Sequence, residues 1–270
     1  MKTPFFLLVA FASLVYGTTP RSLTNSKAKH EIKPVNAREI PVGQNTIAII
    51  NVIIIDGNGG SPISGGTVLV SAGRIEAVGQ KRSIKIPENA EIIDGLGMSI
   101  LPGFIDSHFH LDRVKDLPAL FLQNGVTSLR DPGAWIEAYA EERKSGRQMP
   151  RLFLTGPHLD GSTPAYPYDA IVVRDENEAI EQVNDAADQG ASAIKIYFGI
   201  PPGLIKVIAE AAHKRGLPVT AHLEITEAIQ AIEAGLDGIE HITSFGLSLI
   251  PQREGEKYRQ AIMANNDFRK

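Results

Sequence analysis

The feature that most constrains the fold is a repeat of strand, loop and helix that begins after Pro102 and recurs at intervals of roughly 20 to 40 residues. Short runs of aliphatic and β-branched residues predict six strands. They are Phe104 to His108, Val126 to Arg130, Leu152 to Thr155, Ala193 to Tyr197, Pro218 to His222 and Gly238 to Ile242. This alternation predicts an α/β fold with a parallel sheet. Six units in series favour a (β/α)8 barrel of the TIM type, although periodicity alone is also compatible with an open sheet.

Helices between these strands carry start and stop signals. Asp175, with Glu178 three residues later, predicts a capping box, and Gly190 is placed to end that helix. Thr226 is predicted to cap a later helix that ends at Gly235. These signals support the division of the chain into strand–helix units.

Residues 46–100 differ from the rest of the chain, because they carry short β-rich runs without helical periodicity. A β-branched run from Thr46 to Ile55 stops at a glycine-rich turn. Ala72-Gly73 separates two further runs and predicts a hairpin. Glu91 to Gly95 contributes another strand end. We therefore expect a small β domain over residues 46–100, ahead of an α/β domain over 101–270.

The N-terminus is typical of a secretory signal, because Lys2 precedes an apolar run from Phe5 to Tyr16 and Gly17 is small enough for cleavage. A membrane anchor is the alternative, but a run of about a dozen residues is short of the roughly 20 that cross a bilayer. We expect residues 1–17 to be removed and residues 18–45 to form a linker. The protein would then be exported to a periplasm or the extracellular space without a stable membrane anchor.

Charge and cysteine content exclude several kinds of site. The chain has 27 Lys and Arg against 31 Asp and Glu, a formal net charge of −4, so it offers no globally basic surface to nucleic acid. It contains no cysteine, which excludes disulfides, thiolate nucleophiles and cysteine-ligated zinc. Any metal must be bound by histidine, carboxylate or a less common ligand.

Four of the seven histidines lie at the ends of predicted strands. His108 and His110 end the first strand, and the two-residue period of a strand places both imidazoles on one side and Phe109 on the other. His222 ends the fifth strand and His241 the sixth. Because barrel enzymes place their sites at the carboxyl ends of the strands, these histidines predict a metal site. Histidines buried for structural reasons alone would be scattered.

Lys195 lies in mid-strand between two isoleucines, on the side that would face a barrel interior. A buried ammonium costs several kcal/mol unless it is paired or neutralised. Addition of CO₂ to the neutral amine would give a carbamate able to bridge two metal ions. The alternative is a salt bridge with an acidic neighbour such as Asp106 or Asp131.

The segment from Leu101 to His110 resembles the opening signature of the metal-dependent amidohydrolase superfamily. The segments 125–133, 193–196, the one ending at His222 and 238–241 follow in the order that this family shows. The resemblance runs from about Ile47 to the C-terminus. It is strongest to the imidazolonepropionase-like and prolidase-like branch, in which a β-sandwich domain precedes the barrel.

The resemblance implies a site with one or two divalent ions. His108 and His110 would bind one metal, His222 and His241 the other, and carboxylated Lys195 would bridge them. It also implies hydrolysis of a C–N bond with metal-bound hydroxide as nucleophile, which makes Lys195 and His222 the candidate catalytic residues. Zinc suits these ligands best, with manganese, cobalt or iron as alternatives.

The family has a further aspartate at the end of strand eight, and that residue lacks a counterpart here. A complete barrel takes about 250 residues, whereas residues 101–270 are enough for five to six units. We therefore expect strands seven and eight to be missing, with Asp267 in the wrong context to replace the aspartate. The alternative to an active hydrolase is a catalytically inactive, truncated fragment or pseudoenzyme.

Two further residues are candidates for substrate contact. His158 follows the third strand on the same face, and Tyr197 lies two residues after Lys195. The alternative for His158 is an ordinary loop residue, and the alternative for Tyr197 is a side chain that fills the barrel mouth. We expect a small amide or peptide as substrate, and a homo-oligomer is possible.

Overall fold

The computed structural model describes residues 44–111, 116–145 and 148–264. The predicted export signal, nearly all of the predicted linker, and Asp267 lie outside these ranges. No helix within them is both long enough and apolar enough to cross a membrane.

Residues 46–100 form a five-stranded sheet. Its strands are β1 (Thr46–Ile54), β2 (Ile63–Ser71), β3 (Arg74–Gln80), β4 (Glu91–Asp94) and β5 (Ser99–Ile100). The β-branched strand β1 pairs antiparallel with β2 and parallel with β4 and β5. It buries Ile49, Val52 and Ile54 in a core shared with Val68 and Ile100.

The predicted hairpin is confirmed, since β2 and β3 are joined at Ala72 and Gly73, whose φ angles are 46° and 69°. Positive φ at both central residues matches the right-handed twist of the flanking strands. The described residues of this region form one sheet, so the second layer of a β-sandwich stays a prediction.

After Pro102 every strand in the described ranges runs parallel to its neighbours. One sheet contains β6 (Phe104–Asp106), β7 (Val126–Asp131) and β8 (Arg151–Leu154). The other contains β9 (His158–Asp160), β10 (Ala170–Val172), β11 (Ile194–Ile196), β12 (Val219–Ala221) and β13 (Gly238–Ile239). The six predicted strands are confirmed, with several ends shorter than expected.

The two parallel sheets meet at the third predicted strand. β8 and β9 are two parts of the third strand, broken where Gly156 has φ 74° and Pro157 lacks an N–H. Ser192 N donates to Leu154 O at 2.7 Å, and Tyr197 N donates to Leu159 O at 2.8 Å. In one sheet β6, β7 and β8 lie side by side, and in the other β9 lies between β10 and β11, followed by β12 and β13. Closure into an eight-stranded barrel stays a prediction.

Seven helices are described, most of them between these strands. They are α1 (Leu117–Gln123), α2 (Ala140–Lys144), α3 (Glu176–Asp188), α4 (Pro202–Lys214), α5 (Ala228–Glu233), α6 (Gly246–Leu249) and α7 (Gln252–Ala264). The apolar side chains Ile205, Ile208 and Ala212 of α4 are fully buried against the β11 and β12 region. Each such isoleucine stabilises the fold by about 1.5–3 kcal/mol.

Two predicted helix caps need correction. Asp175 caps α3 as expected, but Glu178 accepts from Arg174 N at 2.8 Å instead of closing a box with Asp175. Glu227, not Thr226, is the N-cap of α5. Thr226 is buried and its hydroxyl donates to Ile200 O at 2.9 Å, so it is not available for capping.

Candidate functional site

Backbone hydrogen bonds continue beyond the strand ends and place the predicted site residues at one edge of the sheet. Phe109 N donates to Arg130 O at 2.9 Å, which fixes the segment after β6 beside β7. His222 N donates to Ile196 O at 3.0 Å, and Glu240 N to Ala221 O at 2.8 Å. The residues that follow β6, β11, β12 and β13 therefore meet at the carboxyl ends of their strands, where α/β proteins place their sites.

His108 and His110 lie on the same side of the chain, as the alternation predicts. Their Nε2 atoms are 3.2 Å apart. Phe109 points the other way and is buried in edge-to-face contact with Phe121, with ring centroids 4.9 Å apart. The local strand geometry thus brings two imidazole nitrogens together while the intervening ring anchors the segment.

His241 lies between His108, from one predicted metal-binding pair, and His222, its partner in the other pair. Its ring centroid lies 4.4 Å from that of His108 and 4.3 Å from that of His222. It has φ 61° and ψ 139°, a conformation that costs energy for a residue with a side chain. Such strained positions concentrate at functional sites. Burial, together with the charges of His222 and His108, lowers the pKa of His241 to about 4.

Lys195 is enclosed in the sheet interior, where only 2% of its surface is exposed. Ile194 and Ile196 pack into the core beside α4, so Lys195 faces the opposite side. Its Nζ has no hydrogen-bond partner among the described residues, and the Glu240 Oε1 atom is 3.9 Å away. Burial lowers the pKa of Lys195 to about 7; Glu240 opposes this shift and the charge of Arg130 adds to it.

The acidic neighbour of Lys195 is not the one the sequence suggested. Asp106 accepts a hydrogen bond from His108 N at 3.1 Å, and Asp131 is surrounded by other donors. Glu240, buried between Ile239 and His241, takes the place that Asp106 or Asp131 was expected to fill. Its position on the sixth strand, opposite strands one and two, could not be read from local pattern.

Glu240 contacts three basic side chains. Its Oε2 lies 2.9 Å from His108 Nδ1, and its Oε1 forms a 2.7 Å ion pair with Arg130. Burial acts to raise the pKa of Glu240, but His108 and Arg130 outweigh it and keep that pKa below its ordinary range. A charged residue inside a strand is the sequence signal by which Arg130 and Glu240 could have been found.

Asp131 is fully buried beside His110. Its oxygens accept hydrogen bonds from Leu111 N, Gly133 N and Ala134 N at 3.0–3.2 Å and from the Tyr139 hydroxyl at 2.6 Å. Burial acts to raise the pKa of Asp131, but His110 and Tyr139 lower it below its ordinary value. The carboxylate is therefore stabilised in its ionised form.

The two candidate substrate-contact residues lie together next to this cluster. The ring centroids of His158 and Tyr197 are 4.3 Å apart, and Tyr197 is 5.1 Å from His222. His158 is buried and its Nε2 has no hydrogen-bond partner among the described residues. Burial, with the charges of Lys195 and His110, lowers the pKa of His158 to about 3. It is a neutral imidazole at physiological pH.

A second carboxylate reaches the cluster after β12. Glu224 is buried, with Oε1 3.4 Å from His222 Nε2, and its other oxygen accepts a hydrogen bond from the Tyr258 hydroxyl of α7. Arg259 of the same helix donates to Ile225 O at 2.9 Å and pairs with Glu227 at 2.7 Å. The helix α7 therefore packs next to the site.

The donor types in this cluster are ones that divalent ions accept. Imidazole nitrogen suits zinc, and manganese, cobalt or iron can also accept it. The buried Lys195 Nζ and both ring nitrogens of His222 have no hydrogen-bond partner in the described ranges, which is unusual unless a ligand completes the site. In residues 44–111, 116–145 and 148–264, no three His, Cys, Asp or Glu side chains converge to hold one ion. A coordination sphere shared by His108, His110, Lys195, His222 and His241 stays a prediction.

The chain is similar to several curated proteins. The chain is 25% identical over 190 residues to a dihydroorotase from Geotalea daltonii, covering 64% of this chain and 43% of the relative. It is 30% identical over 90 residues to an enamidase from Eubacterium barkeri, covering 30% and 23% of the two chains. The chain therefore spans less than half the length of these curated relatives.

Solved structures share the same fold. A protein described as a prolidase, from Bifidobacterium longum, matches with a TM-score of 0.64 and 26% identity over 74% of this chain and 55% of that one. Phenylurea hydrolase B matches with a TM-score of 0.62 and 22% identity over 82% and 64% of the two chains. Residues 99–250, more than half of the chain, match the model of the amidohydrolase family. This match shows that the chain belongs to the amidohydrolase family.

Proposed function

We propose that this protein is a metal-dependent hydrolase that cleaves the C–N bond of a small amide, cyclic amide or peptide. The observation that carries the proposal is a cluster of three histidines. The ring centroid of His241 lies 4.4 Å from that of His108 and 4.3 Å from that of His222. Beside them lies the buried Lys195, whose Nζ has no hydrogen-bond partner among the described residues. The family membership and the names dihydroorotase, enamidase and prolidase among its relatives support C–N bonds as the class of substrate.

The residues that would hold the metal are His108, His110, Lys195, His222 and His241. When bound, a divalent ion lowers the pKa of water from 15.7 to about 7 and polarises a carbonyl oxygen. Zinc is the ion that we propose, as one or two ions, with manganese, cobalt or iron as alternatives.

The protein side chains contribute position and charge. Lys195, with its pKa lowered to about 7, is partly neutral at physiological pH, which suits the carbamate that the family resemblance implies. His222 is enclosed between Phe198, Tyr197 and His241, with ring centroids 4.3–5.1 Å away, so its orientation is restricted. These two residues are the proposed catalytic pair.

His158 and Tyr197 are proposed to contact the substrate. The neutral imidazole of His158 has one nitrogen that donates a hydrogen bond and one that accepts. Its buried Nε2 has no hydrogen-bond partner among the described residues, so it can serve a ligand in either role. Tyr197 stacks on Phe198 with centroids 4.2 Å apart, so its ring is held beside the cluster. A small polar group such as a carbonyl or carboxylate suits this place.

Metal loading and turnover test the proposal directly. The full chain would be loaded with Zn²⁺, Mn²⁺, Co²⁺ or Fe²⁺ and given dipeptides, acyl amino acids and cyclic amides, with released product measured by mass spectrometry. We expect metal-dependent turnover that His108→Ala abolishes. His213→Gln is the matched control, because His213 lies on α4 and pairs with Asp237.

Two outcomes would contradict the proposal. A chain that binds no divalent ion would overturn the metal site itself. A chain that binds the ion but hydrolyses none of these substrates would favour the alternative of an inactive, truncated amidohydrolase.

Export is a further proposal for the same chain. Lys2, the apolar run to Tyr16 and Gly17 support cleavage after residue 17 and release without a stable membrane anchor. Mass spectrometry of the mature N-terminus tests this, and an intact Met1 on exported protein would contradict it. Gel filtration of the same material would show whether the chain forms a homo-oligomer.

A further inference from the structure

We propose that Glu240 and Asp131 are positioning residues, which hold the proton of His108 and of His110 on Nδ1 and thereby direct both Nε2 atoms to one point. The inference rests on the proposed function only in that a metal ion is the ligand expected at that point. It concerns how the protein prepares the two imidazoles before any ligand binds.

Glu240 has the geometry of a hydrogen-bond acceptor for His108. Its Oε2 lies 2.9 Å from His108 Nδ1, and the carboxylate is buried, with 7% of its side chain exposed. An ionised carboxylate can only accept, so the imidazole must carry its proton on the nitrogen that faces it. The hydrogen bond made by one ring nitrogen decides the state of the other.

Arg130 fixes the carboxylate relative to the histidine backbone. Its Nη1 lies 2.7 Å from Glu240 Oε1, while its Nε donates at 2.7 Å to the carbonyl oxygen of Ser107, the residue immediately before His108. One guanidinium therefore holds both the residue that orients the imidazole and the chain segment that carries it. Because the planar guanidinium is rigid, these two contacts restrict rotation of the His108 ring.

Asp131 plays the corresponding part for His110 through a looser contact. Its Oδ1 lies 3.6 Å from His110 Nδ1, an ion-pair distance that is too long for a hydrogen bond. Backbone N–H groups and the Tyr139 hydroxyl hold the carboxylate in place, and none of its surface is exposed. Asp131 is thus a fixed negative charge on the Nδ1 side of His110.

The two nitrogens opposite these carboxylates converge. His108 Nε2 and His110 Nε2 are 3.2 Å apart. With both protons on Nδ1, two lone pairs face each other and repel unless a cation or a shared proton lies near them. Carboxylates that bond the outer nitrogen of a metal-binding histidine are a general means of orienting it. The geometry therefore assigns this role to Glu240 through a hydrogen bond at 2.9 Å and to Asp131 through its fixed negative charge 3.6 Å from His110, with Arg130 as the support of Glu240.

The tautomers can be measured in the metal-free protein. We would record long-range ¹⁵N–¹H spectra of the ¹⁵N-labelled full chain at pH 8 after treatment with a chelator, assigning each ring by single His→Gln variants. The proton is expected on Nδ1 of His108 and His110. His213 is the internal reference, because its Nε2 lies 2.8 Å from Asp237 Oδ2 and its proton is expected on Nε2.

Two variants test the roles of the two carboxylates one at a time. Glu240→Gln should shift the tautomer equilibrium of His108 and leave that of His110, and Asp131→Asn should do the reverse. Each should weaken Zn²⁺ binding about 10–100-fold in competition with a chromophoric chelator. Tyr139→Phe is the matched control, since it removes one donor to Asp131 but keeps the carboxylate, so the tautomer of His110 should be unchanged even where the protein is less stable.

The result that overturns the inference is a His108 proton on Nε2 in the unaltered protein, or a folded Glu240→Gln variant with unchanged tautomer and unchanged Zn²⁺ affinity. This is distinct from failure of the proposed function. If the tautomers respond as expected but the zinc-loaded chain hydrolyses no amide, the positioning role stands and the proposed activity is wrong.

Discussion

The imidazoles on strand one and the polar groups on strands four and five are held in opposite ways. Glu240 contacts His108 at 2.9 Å and Asp131 contacts His110 at 3.6 Å, so the outer nitrogen of each faces a fixed carboxylate. On the other side of the cluster, Lys195 Nζ and both ring nitrogens of His222 are buried without a hydrogen-bond partner among the described residues. The nearest oxygens there, Glu240 Oε1 and Glu224 Oε1, lie 3.9 Å from Lys195 and 3.4 Å from His222.

This difference separates a side arranged in advance by the protein from a side that a ligand completes. Carboxylate contacts orient His108 and His110 whether or not an ion is present. A buried polar group without a partner destabilises the folded state, so the Lys195 side is less favourable until a ligand binds. Metal binding should therefore change the Lys195 side more than the His108 side.

The largest expected effect comes from removing the amine. Lys195→Met keeps the length of the side chain but removes its nitrogen, so bound metal per chain should fall and hydrolysis should drop to the metal-free rate. Metal binding should be weakened more than in Glu240→Gln, for which a loss of about 10–100-fold is expected. Metal content and turnover measured on both variants test the ranking, and a Lys195→Met protein that keeps its metal and activity would break the comparison.

The stability of the metal-free chain should depend on pH through Lys195. Its pKa is about 7 in the folded protein against an ordinary value of 10.5, so between these values the unfolded chain binds a proton that the folded chain does not. The free energy of unfolding should therefore rise with pH between 7 and 10.5, by up to about 1.4 kcal/mol per pH unit. This gain in stability is lost again as the pH falls to 7. Urea unfolding at pH 7–10 measures it.

Lys195→Met provides the control for this pH effect, because the groups whose pKa the Lys195 charge lowers, His158 and His241 among them, titrate well below this window. The variant should show a flatter rise and should be the more stable protein at pH 7. Parallel curves for the two proteins would contradict a lowered pKa for Lys195.

Backbone packing near Tyr197 should give a smaller effect. A Cβ on Gly161 would lie 2.6 Å from Gly199 O, and the N–H groups of both glycines donate to Asp160 Oδ1 at 2.7–2.8 Å. Since backbone atoms cannot move aside easily, Gly161→Ala should destabilise the fold by about 1–3 kcal/mol. Gly203→Ala, which meets nothing within 4 Å, should cause no loss in the same urea assay.

The smallest effect should come from the contact between α7 and Glu224. Tyr258→Phe removes a hydrogen bond to a partly accessible position, where water can replace it, so a loss of about 0.5–1.5 kcal/mol is expected. Tyr139→Phe, in a fully buried site, should cost more. Thermal or urea unfolding measures both losses. If Tyr258→Phe costs more than Tyr139→Phe, the part of the cluster around Lys195 and His222 depends on α7 more than the geometry indicates.

Several elements followed from the sequence because they depend on neighbours along the chain. The strand predicted at Val126 to Arg130 is β7, the Ala72-Gly73 turn joins β2 to β3, and Asp175 caps α3. Phe109 faces away from His108 and His110 because successive side chains of a strand point to opposite sides. The caps at Thr226 and Glu178 were wrong because their polar atoms bond to Ile200 and Arg174.

The sequence by itself determined which side chains stand at the ends of the parallel strands, since β periodicity and turn signals are local properties. Only the tertiary structure decided which of them touch. Glu240 meets His108 across 132 residues of sequence and meets Arg130 from a third strand. Both contacts depend on how the parallel strands are arranged relative to one another and on the burial that strengthens the attraction between opposite charges. No local sequence pattern encodes either. The choice of Glu240 over Asp106 or Asp131 as the neighbour of Lys195 has the same origin.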